Sequence, residues 1–405
     1  MIYDVVILGG GAAGFFTAIN IVEQRPELKV VILERGNEVL SKVRISGGGR
    51  CNVTHAEFIP KDLSVNYPRG QKELLGPFHT FMTGDTMSWF EERGVALKIE
   101  EDGRIFPKSN SSISIIDCFL KETQRLKIEI KKKHAVREFI RRSDFWEVET
   151  NQVVISGKKL VVTTGSNPKI WEQLRNLSHT ITDAVPSLFT FNSTDERIKN
   201  LPGVSTEAAI EVGHTSLKSE GPLLITHWGF SGPAILKLSA WGALDLHKVN
   251  YDFKLKVNWL PGSNKDEIIT VLKSLRYEKA TQLVINTVYF EIPKRLWVQL
   301  VVASGVMSKE KWADINNKKL QNLASQLTES IFKIQGKSTF KEEFVTAGGV
   351  DLKEIDFRTF KSKKQPDLYL AGEVLNIDAV TGGFNFQNAW TGGFLIAKAI
   401  SNSEL

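Results

Sequence analysis

The sequence predicts an α/β fold in which a doubly wound domain is interrupted by an inserted domain of different character. Three observations carry this. Residues 2–8 (IYDVVIL), 12–23 and 29–34 (KVVILE) read as a buried strand, a helix and a second buried strand, a βαβ unit of about 30 residues. Residues 250–258 (NYDFKLKVN) instead alternate strictly. Tyr251, Phe253, Leu255 and Val257 share one face, the pattern of a half-buried antiparallel strand. At 368–372 (LYLAG) the short buried type returns, and residues 386–400 read as a closing helix.

The remaining elements follow in order. Residues 111–126 have helical spacing, with Ile113, Ile116, Phe119 and Leu120 on one face. Alternating stretches at 134–140 and 145–150, joined by a turn at Arg142-Ser143-Asp144, predict a small antiparallel element. Residues 160–164 read as a buried strand running into Gly165. After Pro186 the character changes. Residues 265–276, 293–304 and 309–332 read as helices. Pro293 is a favoured starting residue for the second, and Trp312, Ile315, Leu320, Leu323, Leu327 and Ile331 line one face of the third. The domains expected are 1–187 and 337–405, two parts of one nucleotide-binding domain, with 188–336 inserted between them.

Composition narrows the classes. A length of 405 residues suggests two or three domains, and 42% hydrophobic with 24% charged residues argues against disorder. No run of about 18 apolar residues occurs, which excludes a transmembrane helix. The N-terminus has no basic lead, so it is not a signal peptide, and a cytoplasmic protein is expected. Two distant cysteines, Cys51 and Cys118, exclude a disulfide framework and an all-cysteine metal site. Seven scattered histidines form no HExxH, and no metal site is expected. The net charge of +6 comes from dispersed residues. The runs at 131–134 and 361–364 are short enough to be solvated surface, which disfavours nucleic acid as a partner.

Gly9-x-Gly11-x-x-Gly14 follows the first strand and opens the first helix. Gly9 permits the tight turn, Gly11 lets the backbone approach a pyrophosphate, and Gly14 lets helix and strand pack closely. The helix start offers free N–H groups and a positive dipole end to phosphates. Glu34 ends the second strand, where its carboxylate can accept from both ribose hydroxyls. An acid there disfavours a 2′-phosphate. The return at Ala371-Gly372-Glu373 and Thr381-Gly382-Gly383-Phe384-Asn385 points to a long cofactor spanning both parts of the domain, hence non-covalent FAD rather than NAD.

Five stretches resemble the bacterial FAD-dependent oxidoreductases of the BaiN or aminoacetone-oxidase type: VVILGGGAAG (5–14), SGGGRCN (46–52), GRIFPKS (103–109), LLITHWGFSGPA (223–234) and AGEVLNIDAVTGGFNFQNAW (371–390). They span nearly the whole chain. The resemblance implies a Rossmann-like FAD domain of glutathione-reductase type, interrupted by an inserted β-barrel plus helical domain. It implies that residues 46–52 run along the ribityl chain and flavin, which brings in Gly48, Gly49, Arg50, Cys51 and Asn52. It also implies cofactor contacts from Ala12, Ala13, Arg35, Lys42 and Val136. Further contacts are implied from Thr164, Gly165, Gly372, Glu373, Gly383, Phe384, Asn385 and Gln387. The family usually has Ala-Thr-Gly-Gly where this chain has Thr163-Thr164-Gly165-Ser166, and often Asp and Gly at the places of Asn376 and Ala379.

Other residues are read beside it. Arg50 serves a pyrophosphate, a substrate anion or a structural ion pair. Cys51 lacks a second cysteine close by and reads as a packed thiol. Residues 226–233 (THWGFSGP) suggest a rigid turn beside a ligand. His227 is the candidate acid or base, with Trp228 in the substrate wall. There is no GxSxG, so a serine hydrolase is not supported. Gly392 and Gly393 lie inside the closing helix and imply close packing against another backbone. Its start, capped by Asn385, is expected to face the flavin N1–O2 edge.

The activity expected is oxidoreduction of a small organic substrate. Either an activated C=C bond is reduced or a small amine is oxidised, with NAD(P)H as a transient donor or oxygen as acceptor. An RNA-modifying flavoprotein and a flavin-binding protein without turnover are the alternatives. The sequence leaves the oligomeric state open.

Overall fold

The computed structural model describes residues 2–338 and 345–403. The chain divides into two compact units, Met1–Val185 with Val345–Leu405, and Pro186–Phe344.

The first unit is built on a sheet whose central strands are parallel. β1 (Ile2–Leu8) lies between β2 (Val30–Leu33) and the strand Val154–Val162, with Glu129–Lys131 beyond β2 and Leu368–Leu370 beyond Val154–Val162. The apolar runs explain this: all four residues of β2 and the last four of β1 are buried, as a sheet covered on both faces requires. Register positions the site. Leu8 is opposite both Leu33 and Val162, and Val162 is opposite Leu370. Gly9, Glu34, Thr163 and Ala371 therefore leave the sheet together at its carboxyl edge, where ligands bind in such folds. The strand expected at 160–164 begins earlier, because its first half pairs antiparallel with Trp146–Thr150.

Helix α1 (Ala12–Gln24) packs on the C-terminal helix (Phe384–Ser401). The two internal glycines serve different neighbours, Gly393 facing α1 and Gly392 facing Ala371 and Phe360. A Cβ on Gly393 would lie 3.2 Å from the Ala13 carbonyl oxygen, and one on Gly392 would lie 3.0 Å from the Ala371 Cβ.

In the second unit the paired ladders of a seven-stranded sheet are antiparallel. Its order begins on Ser330–Gln335 and ends on Lys337–Ser338, consecutive pieces of chain separated by Gly336, and among the described residues no ladder closes it into the expected barrel. Leu255 and Val257 of Asp252–Asn258 point into its core with Ile210, Phe332 and Ile334. Helices Pro233–Trp241, Ala243–Lys248, Lys265–Glu278, Lys294–Ala303 and Asn317–Thr328 belong to the same unit. The single helix expected over 309–332 is corrected. Asn316 caps a new start by accepting from the Lys319 N–H at 2.9 Å, and the chain turns into a strand at Ser330. Residues 330–335 (SIFKIQ) alternate with period two, so Ile331 is 47% exposed instead of completing an apolar helix face.

The two connectors, Ile181–Ser187 and Val345–Val350, pair with one another. The first is anchored just before it begins. Buried His179 places Nδ1 2.8 Å from Glu354 and Nε2 3.0 Å from the Ser362 hydroxyl. Glu354 also accepts from Lys364 and from the Thr180 N–H. Burial opposes the charged form of Glu354, but these donors outweigh it and hold the carboxyl at about 2. Burial pushes His179 below the usual imidazole value, against the pull of Glu354. Both shifts have one sign, since in each case the unfolded chain binds the proton more readily. Their stabilisation is full above the unfolded histidine value of about 6.5 and is lost as pH falls, with the Glu354 part lost between about 4.3 and 2. Denaturation midpoints measured from pH 7 to 3 are expected to fall, and Glu354→Gln should flatten the lower part of that fall.

Candidate cofactor site

Gly9 turns the chain with φ +107°, and a Cβ there would lie 2.6 Å from the Thr163 carbonyl oxygen. At Gly14 a Cβ would overlap the Gly9 carbonyl. Gly11 differs: no atom lies within 4 Å of its Cβ position, so the start of α1 opens onto free space. The first N–H groups of that helix, at Ala12, Ala13 and Gly14, have no partners within it.

Glu34 is half-buried and faces this turn. Its carboxylate accepts from the Gly10 N–H at 2.9 Å and the Gly36 N–H at 2.7 Å, which orients it and leaves lone pairs for further donors. Arg35 is exposed. Val136 begins the strand Val136–Arg141, and the segment before it is tied to the Glu34 turn, His134 N–H donating to the Glu34 carbonyl at 2.9 Å. Lys42 and Glu373 form an ion pair at 2.5 Å, and the Cβ position of Gly165 lies 3.7 Å from Glu373. That of Gly372 lies 3.6 Å from the Ala13 Cβ. Residues far apart in sequence thus converge on the start of α1.

A second group forms around residues 46–55. The helix α2 (Ser41–Gly49) leaves helical geometry at Ser46, and Gly47 and Gly48 are left-handed. Nothing lies within 4 Å of the Cβ positions of Gly48 and Gly49. Arg50 donates to Glu100 at 2.7 Å and lies 3.9 Å over the Phe106 ring, so of its possible roles the structure shows the ion pair. Burial pushes the Cys51 thiol up to about 12, only partly countered by Ser46, and Cys118 likewise stands at about 12 through burial. Both are free and buried, and neither is a reactive thiolate at neutral pH.

Asn52 is buried, and its Oδ1 has no partner among the described residues; the same holds for Thr164 Oγ1. Gly383 starts the C-terminal helix with φ +94°. A Cβ there would meet the Thr54 carbonyl at 2.7 Å and Asn52 Oδ1 at 2.8 Å. The expected cap at Asn385 is corrected. Its side chain bonds Ala379, accepting from the N–H at 3.1 Å and donating to the carbonyl at 3.4 Å, because the loop's own backbone competes for it. Phe384 is buried and its carbonyl accepts from Tyr67 at 2.6 Å. Gln387 is fully buried: Thr54 and Thr86 donate to its Oε1 at 2.6 and 3.0 Å, and its Nε2 lies 3.1 Å from Thr391.

His227 lies in the second unit, exposed, in a two-residue hairpin with Trp228 between Lys218–Thr226 and Gly229–Ser231. Ser193 N–H donates to the Trp228 carbonyl at 2.9 Å, and the Trp228 ring N–H to Thr190 at 3.2 Å. Sequence reasoning missed His55, between Thr54 and the glycine pair 382–383, because a lone histidine in an unread stretch carries no local signal. Among the described residues no cluster of His, Cys, Asp or Glu is suited to a metal ion, and no helix is long and apolar enough to cross a membrane.

Free N–H groups facing open space at Gly11, an oriented acid at Glu34, unobstructed glycines at 48–49 and buried polar atoms awaiting partners fit FAD. Fold and site define an FAD-dependent oxidoreductase. The chain belongs to the family described as HI0933-like protein Rossmann domain, which matches residues 3–399. It is 26% identical over 408 residues to a 3-dehydro-bile acid delta(4,6)-reductase of Clostridium scindens, covering 97% of this chain and 98% of the relative. It is 28% identical over 410 residues to a ribosomal RNA dihydrouridine synthase of Escherichia coli, covering 98% and 97%. Among solved structures, a 3-ketosteroid-delta4-(5alpha)-dehydrogenase of Rhodococcus jostii shares the fold with TM-score 0.51 at 10% identity, over 99% of this chain and 97% of that one.

Proposed function

We propose that the protein reduces a carbon–carbon double bond conjugated to a carbonyl group. The observation that carries this is the chemistry shared by the two full-length relatives. A delta(4,6)-reductase of a 3-dehydro bile acid saturates an enone or dienone, and dihydrouridine is uridine saturated beside its C4 carbonyl. Bound FAD, once reduced, would supply hydride to the β-carbon of such a bond, and a proton from a general acid or water would complete the α-carbon. The chain's part is to hold the pyrophosphate at the start of α1, seat the ribose on Glu34 and place the ring beside residues 47–52 and 382–384. Oxidation of a small amine, the other chemistry the sequence allows, has no counterpart in these two relatives. We take a small unsaturated ketone as the substrate class. A uracil in ribosomal RNA is the second reading, favoured by the Escherichia coli relative.

The test is anaerobic. The flavin is photoreduced, then offered steroid 4-en-3-ones and 4,6-dien-3-ones, or ribosomal RNA lacking dihydrouridine. Reoxidation with a gain of two hydrogens by a ketone supports the first reading, and the same gain in RNA supports the second. Reduction of the oxidised flavin by small amines, with neither acceptor consumed, overturns both.

NAD(P)H is the proposed transient donor. The antiparallel sheet of the second unit lacks the parallel βαβ frame of a nicotinamide domain among the described residues. Titration without substrate is expected to give a dissociation constant well above micromolar, and a tighter value would contradict this. His227 remains our candidate acid or base. His227→Ala is expected to change turnover or KM with an unaltered flavin spectrum, and unchanged kinetics on an identified substrate would dismiss the role.

A further inference from the structure

His55 closes the short strand β3 (Thr54–His55), opposite Arg104. Its ring stacks on Phe384, with centroids 4.6 Å apart and planes at 27°. Its Nδ1 lies 3.1 Å from the Gly382 carbonyl oxygen. A carbonyl only accepts, so Nδ1 carries the proton and donates. Two glycines leave room for the ring. A Cβ on Gly103 would lie 2.6 Å from Nε2, and one on Gly382 would lie 3.0 Å from Nδ1. Both have positive φ, +82° and +132°. The next residue, Gly383, opens the C-terminal helix, and Asn52 Oδ1, on a side chain only 8% exposed, faces it without a partner.

We infer that His55 is a positioning residue for the flavin. Its Nδ1–H fixes the Gly382 carbonyl and its ring fixes Phe384, and together they aim the free N–H groups at the start of the C-terminal helix. This rests on the assignment of the cofactor site above. The geometry sets the test, because asparagine can present an amide N–H where imidazole presents Nδ1, whereas glutamine places it one methylene further out.

The readouts are FAD affinity and flavin midpoint potential. His55→Ala is expected to bind FAD about fivefold to tenfold more weakly, the worth of one hydrogen bond, with a lowered potential. His55→Asn should recover the part carried by the hydrogen bond but not the part carried by the ring on Phe384, and His55→Gln should recover neither. Gly103→Ala pushes on the ring and should resemble His55→Ala in affinity and potential, with the strain of a side chain at φ +82° read separately as lower thermal stability. Circular dichroism confirms folding in each case. If Ala, Asn and Gln variants all keep wild-type affinity and potential while Gly11→Val expels FAD, the inference about His55 fails and the cofactor site stands. If Gly11→Val also keeps FAD, it is the cofactor site itself that fails.

Discussion

Gly11→Val is expected to yield a folded protein without flavin. Gly11 has φ −98° and ψ −168°, an extended backbone that valine adopts readily, and its Cβ position meets nothing within 4 Å. The protein alone therefore has room for the side chain. The cofactor does not, because the isopropyl group would stand where the pyrophosphate must approach the first N–H groups of α1. Each charge-assisted hydrogen bond lost there is worth about 1.5–3 kcal/mol, so losing two weakens FAD at least about 100-fold. Gly14→Val is the contrasting control. Its Cβ would overlap the Gly9 carbonyl, so that variant should be destabilised even without FAD. Flavin absorbance after gel filtration, with thermal melts of both variants, separates the cases. A Gly11→Val protein that stays yellow would mean that the open space over α1 is not the cofactor's seat.

What could be read in advance follows from where the deciding interactions lie. The β1–α1–β2 unit was legible because its signals are local: two buried runs, three glycines at fixed spacing and an acid at the end of the second strand. The close packing of Gly392 and Gly393 was legible because a glycine pair inside a helix costs stability that close packing offsets, although only Gly393 meets another backbone and Gly392 meets the Ala371 and Phe360 side chains. Residues 53–102 were not read. Their helices, Pro60–Ser64, Gln71–Phe78 and Thr83–Glu91, are too short for a periodic stripe, and the strand Leu97–Ile99 has three residues. Asn385 failed as a cap because Ala379 engages it through a loop that sequence does not show. Residues 47–55 and 382–387 meet across more than 300 positions, where spacing rules do not reach, and only the family resemblance drew 48–52 and 383–387 together in advance.

The same long-range closure makes Arg69 a residue whose loss should cost much stability. Asp378 is fully buried, while the Arg69 side chain is 12% exposed. The guanidinium grips both carboxylate oxygens, Nε to Oδ1 and Nη2 to Oδ2, and the two backbones pair at the same place. Next to it Gly70, at φ +97°, packs against Ile377. The pair thus pins the loop that leads through Ala379 to Gly382 and the C-terminal helix. Arg69→Met keeps most of the volume and strips the guanidinium from a carboxylate that water cannot reach. Breaking a buried pair from one side costs about 3–5 kcal/mol, against about 1 kcal/mol or less for an exposed pair. Asp378→Leu alone should also be costly, since it leaves the guanidinium in the same place. The double variant should be less destabilised than the sum of the two, because it removes the charges together. Urea midpoints with unchanged m values provide the measurement. A cost under about 1 kcal/mol for Arg69→Met would place this pair with the surface bridges and deny it the role of fastening the loop.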